Sequence, residues 1–302
     1  MKRVSYLPYA LGLAVLDIFL CIFVVAAELP QAAPQITLPN KTGSIKFAVI
    51  GDTGTGAEPQ QQVADVMIKA REAFKFDFAL MVGDNLYGGE DPNAYAAKFE
   101  IPYKKLMDGG VKFYASLGNH DNPTQRMYKN FNMEGKEYYT FKKGNIRFFA
   151  LNSNYMDKRQ LEWLEAELAK SGSDWKICYF HHPLYSSGKQ HGPTVELQKV
   201  LEPVLIKNNV NIVLAGHEHF YERIKPQKGI YYFISGAGGK ISNNDIRKTG
   251  ITEKAYDQEQ HFMLFEGIGD EMHFQAISKS GKTIDSGVIP RLTATPAAAN
   301  AR

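Results

Sequence analysis

Five times along this chain an apolar run stops and a side chain able to bind a metal follows. The runs end in Gly51-Asp52-Thr53-Gly54, Gly83-Asp84-Asn85-Leu86-Tyr87, Gly118-Asn119-His120-Asp121, His181-His182-Pro183 and Gly216-His217-Glu218-His219. Carboxylates, imidazoles and an amide oxygen suit hard or borderline ions such as iron, zinc or manganese. No cysteine takes part, which argues against iron–sulfur or structural zinc chemistry. Each motif alone has an ordinary reading: Gly-Asp after a strand is a common turn, Asn119-His120 can be a capped loop, and His217 and His219 can be satisfied strand residues. Six of the eight histidines fall in or beside these motifs. That joint pattern, in order and at the ends of runs, points to a single site.

The elements that must position these residues follow from periodicity. Apolar runs at 45–51, 78–83, 112–117, 146–152, 176–180 and 210–215 read as buried strands. Segments 59–74, 93–107, 157–170 and 194–207 carry three-to-four spacing and read as helices, with Asp157 a reasonable start for the third. Alternation of strand and helix predicts an α/β core, in which a ligand crevice lies beyond the strand C-termini. In the last third, strands at 231–235, 261–266, 272–277 and 283–289 have few helices between them. They predict antiparallel hairpins completing a second sheet. The expected architecture is α/β: two packed mixed β-sheets flanked by helices, in one domain over residues 45–290.

The ordered set GD…GDNLY…GNHD…HHP…GHEH resembles the calcineurin-like metallophosphoesterases. Two details narrow the resemblance. The generic pattern opens with Asp-x-His, but Gly54 stands at the third position here, and Tyr87 follows Asp84 by three. That exchange resembles the purple acid phosphatases, in which a tyrosinate binds iron(III). A phenol with an ordinary pKa near 10 needs a strong Lewis acid to ionise at working pH. The stretches His191-Gly192-Pro193-Thr194 and Ser235-Gly236-Ala237-Gly238 resemble the small tartrate-resistant enzymes. The resemblance implies that Asp52, Tyr87 and His219 bind iron(III), that Asn119, His181 and His217 bind a divalent ion (iron, zinc or manganese), and that Asp84 bridges the two. His182 is then an outer neighbour. The implied reaction is phosphate-monoester hydrolysis, in which a metal-bound hydroxide attacks phosphorus while His120 and His191 hold phosphoryl oxygens and protonate the leaving group. Asp121 either orients His120 or shapes its turn. Thr53 and Leu86 replace an expected Trp and Phe, and the segment 152–159 is short where the mammalian enzymes carry a long regulatory loop. The alternatives are a phosphodiesterase or nucleotidase on the same metals and, from another class, a catalytically silent binding module. Nucleotide binding through the glycine-rich 235–240 fails the P-loop pattern, because Ile234 and Ile241 stand where Gly and Ser or Thr are required.

Bulk composition sets the remaining bounds. The chain has 302 residues, 44% hydrophobic and 22% charged, with a formal charge of +3. There is no long basic run, so a nucleic-acid partner is not expected; small phosphate esters are. Lys2 and Arg3 precede an apolar stretch at 11–27 that ends in Ala26 and Ala27, the pattern of an export signal. The stretch is short for a membrane span and contains Asp17; an uncleaved anchor is the alternative and the one expected route to a membrane. Export places the protein in a periplasm, outside the cell or on an N-terminal anchor. Residues 28–44 read as a linker and 291–302 as a disordered tail. Cys21 lies in the signal, so Cys178 has no intrachain partner and reads as a buried small hydrophobe.

Overall fold

The computed structural model of the chain describes Met1 and residues 33–291. The export segment, the first part of the linker and the tail beyond Arg291 lie outside the described residues. The chain divides after Pro30, and both sheets fall in the second part, Gln31–Arg302.

In chain order the strands are β1 (Ile45–Ile50), β2 (Phe78–Val82), β3 (Lys112–Ser116), β4 (Tyr139–Lys143), β5 (Ile146–Ala150), β6 (Trp175–Tyr179), β7 (Ile212–Ala215), β8 (Tyr221–Gln227), β9 (Ile230–Ser235), β10 (Thr252–Tyr256), β11 (His261–Ile268), β12 (Glu271–Ser278) and β13 (Thr283–Pro290). The first sheet runs β13-β12-β11-β1-β2-β3 and the second β10-β8-β9-β7-β6-β5-β4. β1, β2 and β3 are parallel, as are β5, β6, β7 and β9, so their C-terminal ends share one side of each sheet. The predicted hairpins are divided between the sheets. β9 belongs to the second, but β11–β13 join the first, where β11 runs antiparallel to β1. The parallel set extends from one edge of β1 only, and β11 covers the other.

Helices α1 (Glu58–Ala73), α2 (Pro92–Tyr95), α3 (Ile101–Asp108), α4 (Lys158–Ala169) and α5 (Val195–Lys207) connect the parallel strands. Asp157 caps α4, its carboxylate accepting from Gln160 N at 2.8 Å, as its residue type favours. The second predicted helix is not uniform. A π-helical turn at Ala96–Glu100 separates α2 from α3. Pro102 has no N–H to give the carbonyl four residues back; that carbonyl, on Lys98, instead accepts from Gln60 Nε2 of α1 at 2.5 Å.

The two sheets meet through aromatic rings. Phe47 and Phe265 of the first stack at 5.1 Å, and Phe148 of the second packs edge-on against Phe47 at 5.2 Å and Phe78 at 5.4 Å. Such pairs add about 0.5–1.5 kcal/mol each beyond their buried area, and they fix the spacing of the strand ends that carry the polar motifs. Residues 37–44, ahead of β1, are hydrogen-bonded along the first sheet: Thr37 N to Gln275 Oε1 at 2.9 Å, Asn40 N and Lys41 N to the Glu266 carboxylate at 2.7 and 2.6 Å.

Candidate metal centre

Every strand end singled out above arrives at one place. Asp52, Asp84 and Asn119 come from the ends of β1, β2 and β3; His181 and His217 come from the ends of β6 and β7, and His219 from the turn into β8. The lacing of strand ends continues past the strands: Asp52 N donates to Gly83 O at 3.0 Å, Tyr87 N to Gly54 O at 2.9 Å and Gly216 N to His181 O at 3.0 Å. Asp52, Asp84 and His217 have φ of 54°, 50° and 70°. This left-handed conformation is uncommon outside glycine and marks strain held by its surroundings. Gly118 passes so near Asp84 that a Cβ there would lie 2.1 Å from Oδ1.

One half of the site surrounds His181, which is fully buried. Its Nδ1 lies 3.1 Å from Val82 O, a carbonyl that can only accept, so the proton is on Nδ1. Nε2 therefore points a lone pair at Asn119 Oδ1 (2.9 Å), His217 Nδ1 (3.2 Å) and Asp84 Oδ1 (3.4 Å). His217 can lend this group one proton; the other lone pairs face one another, and a cation is what satisfies them. The other half holds the phenol of Tyr87, 3.1 Å from Asp52 Oδ1 and 3.3 Å from His219 Nε2, with His219 Nε2 3.4 Å from the same carboxylate oxygen. Ligand atoms of Asp52, Asp84 and His181 all lie within 4.8 Å of one another. Burial, then the neighbouring Asp84, holds Asp52 well above the ordinary carboxylate range. Burial also raises the Tyr87 phenol, and Asp52 and Asp84 raise it further. Two carboxylates this close and this buried fit a cationic centre.

Burial favours the neutral form of the three imidazoles. Burial lowers His181 well below the ordinary range and His217 to about 2, helped by neighbouring histidines. His219 is lowered by burial and then by Lys240. Each shift favours the neutral imidazole, the form that can offer a lone pair to a cation. His182 stands against this group: a ring nitrogen lies within 4.8 Å of those of His181 and His217, and its Nδ1 is 2.9 Å from Ser153 Oγ.

His120 and His191 are both exposed at the mouth, the first with its ring 5.0 Å from that of Tyr87, the second 4.3 Å from that of His217. Asp121 serves its turn. Its carboxylate accepts from Gly118 N (2.8 Å), Asn85 N (3.0 Å), Leu86 N (3.0 Å) and Gln125 Nε2 (2.9 Å), tying the loop after β2 to the loop after β3. Two residues escaped the sequence reading. Glu218, fully buried between the two histidines, accepts from Ser186 Oγ at 2.8 Å and Gly192 N at 2.6 Å, and so holds the loop carrying His191. Lys240 places its ammonium 3.5 Å from the centroid of the Tyr87 ring. A glutamate between histidines and a lysine after glycines give no signal in one sequence; only the HxH spacing around Glu218 could have drawn the eye.

Cys178 is buried with a free thiol that burial pushes up. A cavity of about 450 Å³ adjoins the centre, lined by Asn119, Pro123, Ser153, Tyr155, His182 and Thr194.

Known proteins carry related sequences and folds. Residues 45–221 match the pattern of the calcineurin-like phosphoesterases. Purple acid phosphatase 17 of Arabidopsis thaliana is 29% identical, over 83% of this chain and 86% of its own. Tartrate-resistant acid phosphatase type 5 of Homo sapiens is 25% identical, over 83% and 92%. Two solved structures share the fold at 19% identity. Purple acid phosphatase PPD1 from yellow lupin seeds has a TM-score of 0.69 over 84% of this chain and 55% of its own. GAP50, the anchor in the inner membrane complex of Plasmodium, has a TM-score of 0.74 over 83% and 90%. With the family pattern matched over more than half of its 302 residues and its polar motifs gathered at the matching strand ends, the chain belongs to the calcineurin-like phosphoesterase family.

Proposed function

We propose that the protein is a binuclear-metal acid phosphatase that hydrolyses phosphate monoesters. The observation that carries this is the crowding of lone pairs around His181 Nε2, beside a phenol that shares Asp52 Oδ1 with His219. In this reading Asp52, Tyr87 and His219 hold iron(III), Asn119, His181 and His217 hold a divalent ion, and Asp84 serves both. The position of the phenol beside Asp52 Oδ1 and His219 Nε2 supports a tyrosinate ligand, which calls for a strong Lewis acid such as a trivalent ion.

When bound, a metal pair supplies Lewis acidity to phosphoryl oxygens and acidifies a water. The chain itself does the rest. His120, beside the Tyr87 ring, and His191, beside the His217 ring, hold the phosphoryl group. The ester O–P bond breaks as the oxygen of a water, which gives up a proton to solvent, joins phosphorus, and a proton carried by one of these imidazoles passes to the leaving alkoxide. The adjoining cavity gives the organic part of the ester room. The signal pattern in residues 1–27 supports export; among the described residues no helix is long and apolar enough to cross a membrane.

The decisive experiment is a visible spectrum with metal analysis on the same concentrated sample. A broad purple or pink band with iron present and two metals per chain is expected, together with phosphomonoester hydrolysis at acid pH. Tyr87→Phe should lose the band. A colourless wild-type protein loaded only with divalent ions, or a Tyr87→Phe variant with an unchanged spectrum, would remove the tyrosinate; the former would shift the assignment to a phosphodiesterase or nucleotidase.

A further inference from the structure

In the glycine-rich stretch 235–240, the amides of the last three residues are already taken. Gly238 N donates to Gly51 O at 2.8 Å, and Gly239 N and Lys240 N donate to Asp52 O at 3.0 and 3.3 Å. The glycines allow close approach: a Cβ on Gly239 would lie 2.2 Å from Thr53 O. The stretch is thus fastened to the strand end that carries Asp52, and it terminates in Lys240. The Lys240 side chain is half-buried and its ammonium makes no ion pair or hydrogen bond among the described residues. It lies 3.5 Å from the centroid of the Tyr87 ring, well inside the ~6 Å reach of a cation–π contact. The Asp52 carboxylate also lies within the reach of its charge, so the ammonium faces both the carboxylate and the ring of the same half-site.

We propose that Lys240 is a positioning residue for Tyr87: its ammonium, seated on the ring face, fixes the ring beside Asp52 and His219 and stabilises the π electrons of the phenolate. The proposal rests on Tyr87 being an iron ligand. The face of an aromatic ring is electron-rich, and ionising the hydroxyl makes it more so, so the contact strengthens in the phenolate. Because the cation sits on the ring that donates electrons in the charge-transfer transition, it lowers the donor level and widens the gap to the metal.

The test compares the iron-loaded full-length protein with Lys240→Met, which keeps the length of the side chain and removes its charge, and with Lys240→Arg, which keeps the charge. Lys240→Met should move the visible band to longer wavelength at equal iron content, while Lys240→Arg stays near the wild type. A side chain that only packs would leave the band where it was, and a Lys240→Met spectrum superimposing on the wild type overturns the proposal. If Lys240→Met loads iron poorly, Lys240→Gln provides the same neutral comparison. An iron-loaded wild type with no visible band is a separate outcome: it removes Tyr87 as a ligand and the proposal with it.

Discussion

At the scale of the residue, Asp84 is where both halves of the centre meet. Its Oδ1 accepts from His120 N at 3.0 Å and lies 3.4 Å from His181 Nε2, and the side chain is almost fully buried. Asp84→Ala should abolish metal loading and phosphatase activity together, measured by metal content after dialysis and by phosphomonoester turnover; full activity in this variant would sink the assignment. Asp84 could be singled out in the sequence because it follows an apolar run directly, as Asp52, Asn119 and His181 do. Glu218 could not, because its role depends on partners far away in sequence. Ser186 and Gly192 lie 32 and 26 residues from it, and nothing in the run of letters shows that their loop returns to it. Asp121 was half legible: its turn role fits its residue type, while its link to the loop after β2 exists only once β2 and β3 are paired.

Elements bring these residues to within bonding distance, and glycines set how near they come. Gly118, just past β3, faces the carboxylate at the end of β2 with no room for a methyl group. Gly118→Ala should therefore push Asp84 aside while leaving the sheets intact. Circular dichroism should stay native while metal content falls; a variant that loads metal normally would show that the strand ends can give way. Strand positions were readable from apolar runs because β2, β6 and β7 are buried on both faces. Pairing was not, since an apolar run does not say which edge it will meet. Hence the hairpins β11–β13 were expected in one sheet and lie in the other. β8 escaped notice because Glu222, Arg223 and Lys225 hide its pattern, although Glu222 is fully buried, accepting from Ser187 N at 2.9 Å and Thr252 Oγ1 at 2.6 Å.

For the whole molecule, the pH of stability matters as much as the pH of catalysis. His261, at the start of β11, is fully buried, and neither ring nitrogen has a hydrogen-bond partner among the described residues. Its ring packs edge-on to Tyr221 at 5.5 Å. Burial lowers it from 6.5 to about 3. Between those values the unfolded chain takes up a proton that the folded chain refuses. The folded state therefore loses about 1.4 kcal/mol per pH unit as pH falls below 6.5. His261→Phe keeps a ring against Tyr221 and removes the titration. Whatever its packing cost, its stability relative to wild type should improve by about 2 kcal/mol between pH 8 and pH 5, read from urea unfolding at both. A constant difference would mean that the wild-type imidazole finds a proton partner in the fold.

The place of β1 has a consequence for how the protein is made. It lies inside the first sheet, with β2 on one side and β11 on the other. β11 is drawn from residues 261–268, so a growing chain carries β1 with one bare edge until more than 200 further residues have been made. The clamp on Asp52 from Gly238 and Gly239 arrives little earlier. Until both have been made, the loop carrying Asp52 lacks the hydrogen bonds that hold it in place. A truncated product would present an open strand for aggregation or proteolysis rather than a weaker enzyme.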